Sequence, residues 1–198
     1  MSTTEEKILI SAVDLMSKNG YHRTTVADIV KAAGVAQGTF YLYFDSKKDL
    51  FLKLMEDFYS MLENALTDVD WNISALNSQE ELAQRIRMAI QKILLVYQDN
   101  AVLARIFLRE AMGLEPDFAE LWDSIIERLS AYGALIMEQA IAHKLLPPQN
   151  SQLVAHCVVG MIERVAYYWL FQENEYEIDD VTDALTRFEL FGISSVPA

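Results

Sequence analysis

"GVAQGTFYLYF", Gly34 to Phe44, decides how this chain is read. It sets Phe40, Tyr41, Tyr43 and Phe44 within five consecutive positions. Successive residues of a helix are rotated by about 100°, so Phe40 and Phe44 share one face. Gly38, Thr39, Leu42 and Tyr43 lie on the other side, with Tyr41 at the boundary. The two phenylalanines are therefore expected in the core. Tyr41 and Tyr43 are expected at the surface, where a phenol can donate to a phosphate oxygen. Gly38 keeps the backbone bare for close approach by another molecule. Gln37 stands at the helix start, where a side chain can reach base edges and backbone N–H groups can meet phosphate. The plainer alternative is that both tyrosines are amphipathic rings resting beside the next helix.

The flanking residues favour the first reading. Upstream lies "TTVADIVKAAG", Thr24 to Gly34. Thr25 is a good N-cap, and Asp28 three residues on completes an approximate capping box. Val26, Ile29, Val30 and Ala33 give this short helix an apolar side. Gly34 supplies the permissive backbone for a tight turn into another helix, and Val35 fills the corner. Two short helices joined at a glycine form a helix-turn-helix, whose second helix suits the major groove of DNA. Downstream, "SKKDL" (46–50) opens a further helix with Lys47 in its first turn. A cation there opposes the helix dipole, but lysine plus unpaired N–H groups becomes favourable if a phosphate docks.

The rest of the chain reads as all-α. Helices are expected near 4–18, 25–32, 36–43, 46–69, 79–98, 101–112, 116–144, 150–173 and 179–192, with a loop from Val69 to Gln79. Asn19-Gly20 stops the first helix, and Pro116 and Pro147-Pro148 begin or separate later ones. Alternating β-branched runs between hairpin turns are missing. The 198 residues, 52% of them hydrophobic, suffice for a small domain joined to a larger one. The expected division is 1–50 and 51–198. Net charge is −13, unevenly placed: residues 1–50 hold six basic and six acidic groups, so the remainder carries the whole excess. The N-terminal part is thus the less repulsive to phosphate.

The N-terminus has acidic residues before a short apolar segment, unlike a secretory signal, and no apolar run is expected to reach the ~18 residues that span a bilayer. The single cysteine, Cys157, cannot form an internal disulfide. A cytoplasmic protein without a membrane role is expected. No phosphate-cradling glycine motif, no Glu-x-x-His pair and no Cys/His metal spacing is present, and His22, His143 and His156 are scattered. Catalytic residues, metal ligands and cofactors are accordingly not expected. An all-helical enzyme, or a dimerisation module that does not bind DNA, are the rival readings.

Gly20-Tyr21, Thr24-Thr25-Val26, the run "DIVKAAGVAQGTFYLYFDSKKDLF" and the long helix after it resemble the DNA-binding domain of TetR-family transcriptional regulators. The resemblance covers roughly residues 5–55; Val30 departs from the alanine more usual there. It implies an N-terminal three-helix domain with a helix-turn-helix, plus a larger C-terminal helical domain for ligand binding and dimerisation. It implies a homodimeric repressor, released from palindromic double-stranded operator DNA by a small hydrophobic or aromatic effector. Carried over by position, it implies phosphate or base contacts from Thr25, Gln37, Gly38, Thr39, Tyr41, Tyr43 and Lys47.

Beyond Phe51 the most informative segment is 150–173. From Leu153 to Phe171 its only clearly charged groups are Glu163 and Arg164. A helix apolar nearly all round needs cover on more than one side, and a second subunit is the natural cover. Gly160 is placed to permit close helix approach. Val181, Leu185, Phe188 and Phe191 of the last helix could supply the partner surface. The resembled family holds its effector between the DNA domain and the dimer helices. Polar groups on otherwise apolar faces are the candidate anchors: Arg105, Glu110, Glu163 and Tyr167. Trp122 and Tyr132 are candidate aromatic walls. The plainer reading pairs Glu163 with an arginine and has Tyr167 simply pack.

Overall fold

The structure, a computed structural model, describes residues 3–110, 116–172 and 175–192, excepting the side chains of 109 and 110. Every regular element among them is helical. In chain order these are α1 Thr4–Asn19, α2 Val26–Ala33, α3 Gln37–Phe40, α4 Lys47–Thr67, a 3-10 turn Ile73–Ala75, α5 Gln79–Asp99, α6 Ala101–Glu110, α7 Pro116–Ala142, α8 Ser151–Phe171 and α9 Ile178–Phe191. Residues 111, 112 and 173, expected to be helical, lie outside the described residues.

Local chemistry accounts for the first boundaries. Thr3 and Glu6 form a reciprocal capping box that starts α1, and Thr25 and Asp28 form one that starts α2. Gly34 ends α2 in the left-handed region, φ 67°, where any other residue pays for its Cβ.

Chain contacts gather into two compact units. The first is Met1–Ser60 with Asn100–Leu121, and the second is Met61–Asp99 with Trp122–Ala198. A single cut after residue 50 does not describe this. The first unit is closed by an aromatic cluster drawn from distant parts of the sequence. Phe51 stands 4.9 Å from Tyr21, 5.5 Å from Phe107 and 4.6 Å from Phe118, centroid to centroid. Phe58 reaches Phe107 at 5.5 Å. Such ring pairs add stabilisation beyond their buried area, so α6 and the start of α7 belong with the N-terminal helices. Ile8, Ala12 and Met16, four residues apart on α1, are buried in the same unit.

In the second unit α5 packs on α8 and α9. Arg87 of α5 donates from Nε to Asp183 at 2.6 Å and from a terminal nitrogen to Asp179 at 3.0 Å, tying α5 to α9. Val181 and Leu185, expected to face a partner, are buried within this chain, whereas Phe188 and Phe191 are half exposed. The face of α9 carrying 181 and 185 is taken by its own unit, and the surface it offers begins at 188.

Helix α8 departs from expectation. By length and a mean hydropathy of 1.2, Ser151–Phe171 could cross a membrane, and only 22% of that stretch is buried within the chain. Length and hydropathy alone do not separate a spanning helix from one covered by protein, and Glu163 and Arg164 lie mid-way along it. Gly160 is exposed, and a Cβ built there meets nothing within 4 Å, so among the described residues no other helix approaches it closely.

Candidate nucleic-acid interface and buried cavity

The opening segment folds more tightly than the 36–43 helix expected of it. α3 ends at Phe40, and the chain continues with i→i+3 bonds from Leu42 N to Thr39 O (3.2 Å) and from Tyr43 N to Phe40 O (3.0 Å). Gly38 and Thr39 are poor helix formers, and the following rings lose rotamer freedom against a full α-turn. The sorting of the rings survives this change because Phe44 N still bonds Phe40 O at 3.0 Å. Phe40 is 0% and Phe44 3% exposed, with centroids 5.6 Å apart. Tyr41, Leu42 and Tyr43 are 50%, 83% and 44% exposed.

Gln37 and Gly38 are also exposed, and Thr39 is half-buried. A Cβ built on Gly38 meets nothing within 4 Å. No packing among the described residues therefore requires a glycine there. Thr25 is exposed, and its hydroxyl is engaged: it donates to Asp28 Oδ2 at 2.6 Å and accepts from Asp28 N at 3.2 Å. The Thr25 hydroxyl first and the Thr25 backbone N–H second, both donating to Oδ2, hold the Asp28 carboxyl below the usual range.

Lys47 has a role that sequence reasoning missed. Its ammonium donates to the carbonyls of Tyr21 (2.7 Å) and Thr24 (2.9 Å) and stands 4.1 Å from the centre of the Tyr21 ring. Two of its three N–H groups thus clamp the start of α4 to the corner between α1 and α2. The unfavourable place of a cation at a helix start is answered first by carbonyl dipoles and a ring face.

The second unit contains a partly open cavity of about 120 Å³. Leu66 of α4, Ile86 and Ile90 of α5, Met137 of α7 and Val159 of α8 form part of its apolar wall. Polar groups are few: Glu163 of α8, Glu189 of α9, Tyr97 of α5 and Gln149 before α8. Glu163 Oε1 is buried and has no hydrogen-bond partner. Burial raises the Glu163 carboxyl to about 7, and Glu189 likewise to about 7. The Tyr97 phenol is raised well above its usual value, by burial first and by the Glu163 charge second.

Of the candidate anchors and walls, the structure brings only Glu163 to this cavity. The expected arginine pairing of Glu163 is not formed among the described residues. Tyr167, one turn on, packs against Phe171 at 5.5 Å, with the Arg164 guanidinium 5.4 Å from its ring centre. Trp122 is buried and Tyr132 half-buried, both away from the cavity lining. Arg105 is exposed in the first unit. The Glu110 side chain lies outside the described residues. Sequence reasoning overlooked Glu189, although Val181, Leu185 and Glu189 follow one another at i, i+4 and i+8 and so share a helical face.

Comparison with known proteins agrees with this geometry. A family model described as "Bacterial regulatory proteins, tetR family" matches residues 8–54. The HTH-type transcriptional regulator YvdT of Bacillus subtilis is 30% identical over 177 residues, 86% of this chain and 85% of its own. The fatty acid metabolism regulator protein of the same organism is 26% identical over 193 residues, 94% of each chain. The crystal structure of the B. subtilis regulator FadR in complex with stearoyl-CoA superposes with a TM-score of 0.79 at 22% identity, covering 95% of this chain and 98% of that one.

Proposed function

This chain belongs to the tetR family of bacterial regulatory proteins, ligand-responsive DNA-binding regulators of transcription, and we propose that it is a cytoplasmic, homodimeric repressor without enzymatic activity. It holds a two-fold operator until an apolar effector enters the cavity of its second unit. The observation that carries this is the division of rings at 40–44: two buried phenylalanines anchor a segment whose exposed side holds Gln37, Gly38, Tyr41, Leu42 and Tyr43. A segment held by its own core and bare outward is what a groove-reading element requires.

In this reading Gln37 and Thr39 meet base edges, and Gly38 lets the backbone come close. Thr25, Tyr41 and Tyr43 meet phosphates. Lys47, at the start of α4, completes the set. The half-exposed Phe188 and Phe191, the exposed Leu153 and Tyr168, and the sparsely covered α8 supply the surface that a second copy covers. Apolar area of this kind favours association with protein.

Effector release is a population shift: a ligand that binds the non-operator form better draws the dimer away from DNA by its difference in affinity. The fatty acid metabolism regulator and the stearoyl-CoA complex make an apolar effector the natural expectation.

The test is selection of bound DNA from the source genome, followed by titration of the recovered site by fluorescence anisotropy. Tyr43→Ala is expected to weaken binding by about tenfold or more with the fold unchanged. A recovered site without inverted symmetry, or full affinity in the variant, would overturn the reading.

A further inference from the structure

The second-unit cavity carries more information than its apolar wall. Its described lining contains no lysine, arginine or histidine, yet it contains two carboxyl groups. Neither has an ion-pair partner among the described residues, and Glu163 Oε1 has no hydrogen-bond partner either. An interior ordinarily pairs such groups, because an unpartnered buried carboxyl costs free energy in either protonation state. Here Glu163 keeps a bare buried oxygen, and Glu189, part-buried on the adjacent helix, lines the same cavity.

We infer that the cavity is a receptor for an apolar cation, an amine-headed molecule whose hydrocarbon body fills the apolar space while Glu163 and Glu189 receive its ammonium. This inference rests on the reading that the second unit binds the effector, and it names the chemical class. An ammonium offers up to three donors to carboxylate oxygens, and charge-assisted bonds of that kind are stronger than neutral ones. An anionic head would meet two acids and no base.

Size and protonation agree with the inference. An engineered apolar cavity of about 150 Å³ takes benzene, so about 120 Å³ suits an aromatic ring or a short chain before any opening. With both carboxyls raised to about 7 by burial, the empty cavity holds them largely neutral on the acid side of that value. An arriving cation stabilises their ionised forms and expels protons. Affinity for an amine therefore rises with pH, whereas a carboxylic acid ligand, which needs protonated partners, is lost over the same interval. The other titratable group in the lining is the Tyr97 phenol of α5, which stays neutral throughout. The described lining from α4 and α7 carries no titratable group. Near by in sequence, Arg164 lies over the Tyr167 ring and Arg187 is exposed.

The experiment uses the full-length protein and three size-matched probes: benzylamine, benzyl alcohol and benzoate. Binding is measured by calorimetry from pH 6 to pH 8, and operator binding is measured separately by anisotropy. Benzylamine is expected to bind at least about tenfold tighter than benzyl alcohol at pH 7.5, to bind tighter than benzoate, and to gain affinity from pH 6 to 8. The E163Q/E189Q double variant is expected to lose the preference for amine over alcohol while still binding the alcohol. The inference is overturned if benzoate binds as well as benzylamine, if the double variant keeps the amine preference, or if none of the three probes binds. Should the double variant not fold, the pH trend of the wild-type protein decides: a flat or falling amine affinity overturns the inference. Amine binding that leaves operator affinity unchanged sinks the effector-release reading and leaves the cation receptor standing.

Discussion

Glu163→Gln should make the protein more stable at pH 8 and change little at pH 5. In the folded chain burial lifts the Glu163 carboxyl from an ordinary 4.5 to about 7. Below pH 4.5 the group is protonated both folded and unfolded, so it contributes no pH dependence. Between 4.5 and 7 the folded state keeps a proton that the unfolded state has released, and stability falls as pH rises. Above 7 both states are ionised and the full cost of a buried charge is present. At 1.36 kcal/mol per pH unit the total is on the order of 3 kcal/mol for Glu163, and Glu189 adds a loss of the same sign. Glutamine fills the same volume and cannot ionise, so E163Q removes about half of the combined slope. The lowered carboxyls of Asp28 and Asp68 change protonation below pH 4 and leave this interval clean. The assay is urea unfolding at pH 5, 6, 7 and 8 at one fixed protein concentration, because association would make apparent stability concentration-dependent. A parallel thermal scan at pH 8 should show the variant melting roughly 6–12 °C above wild type, taking about 2–4 °C per kcal/mol for a chain of this length. Wild-type stability that is flat or rising from pH 5 to 8, or an unchanged slope in E163Q, would refute the placing of an unpaired carboxyl in that cavity.

Three further outcomes follow from the first unit. Gly38→Ala should leave thermal stability unchanged or raise it by up to about 1 kcal/mol, since the added methyl meets nothing and alanine favours helix; its operator affinity should nonetheless drop, and anisotropy together with calorimetry separates the two effects. Phe40→Ala should destabilise by about 3–5 kcal/mol through the cavity it leaves, visible as an early melting transition. Lys47→Ala should cost about 1–3 kcal/mol of stability by stranding the Tyr21 and Thr24 carbonyls, and it should flatten the salt dependence of operator binding if the ammonium also meets a phosphate.

What could be read from the sequence was whatever a single helix decides. The inward turn of Phe40 and Phe44 needed only the angle between neighbours, and the caps at Thr25 and Gly34 needed only local hydrogen bonding and φ. The length of α3 was misjudged because the periodic pattern persists through i→i+3 turns, which keep Phe40 and Phe44 together while shortening the helix. Lys47 shows the next limit. The conflict between its charge and the helix dipole was visible, but the carbonyls that resolve it lie 26 and 23 residues away. The aromatic cluster of Tyr21, Phe51, Phe107 and Phe118 likewise joins positions whose proximity no local pattern encodes. The cavity was the least legible feature, because it is made of what five helices leave unfilled. Even so, the stripe from Val181 through Leu185 to Glu189 marks one of its acids in the sequence itself.

Inside Gly34–Phe44, the residues that hold the segment and those that face outward are different residues. Phe40 and Phe44 are enclosed, while Gln37, Gly38 and Leu42 touch little of their own chain. Exchanges at the outward positions therefore escape the penalty that core mutations incur. On the proposed reading of DNA by this segment, descendants of this gene can wander through many outward-facing combinations at nearly constant fold stability, acquiring new target sites after duplication while the anchoring rings stay fixed. The same separation makes the segment a compact place to randomise when retargeting the protein in the laboratory.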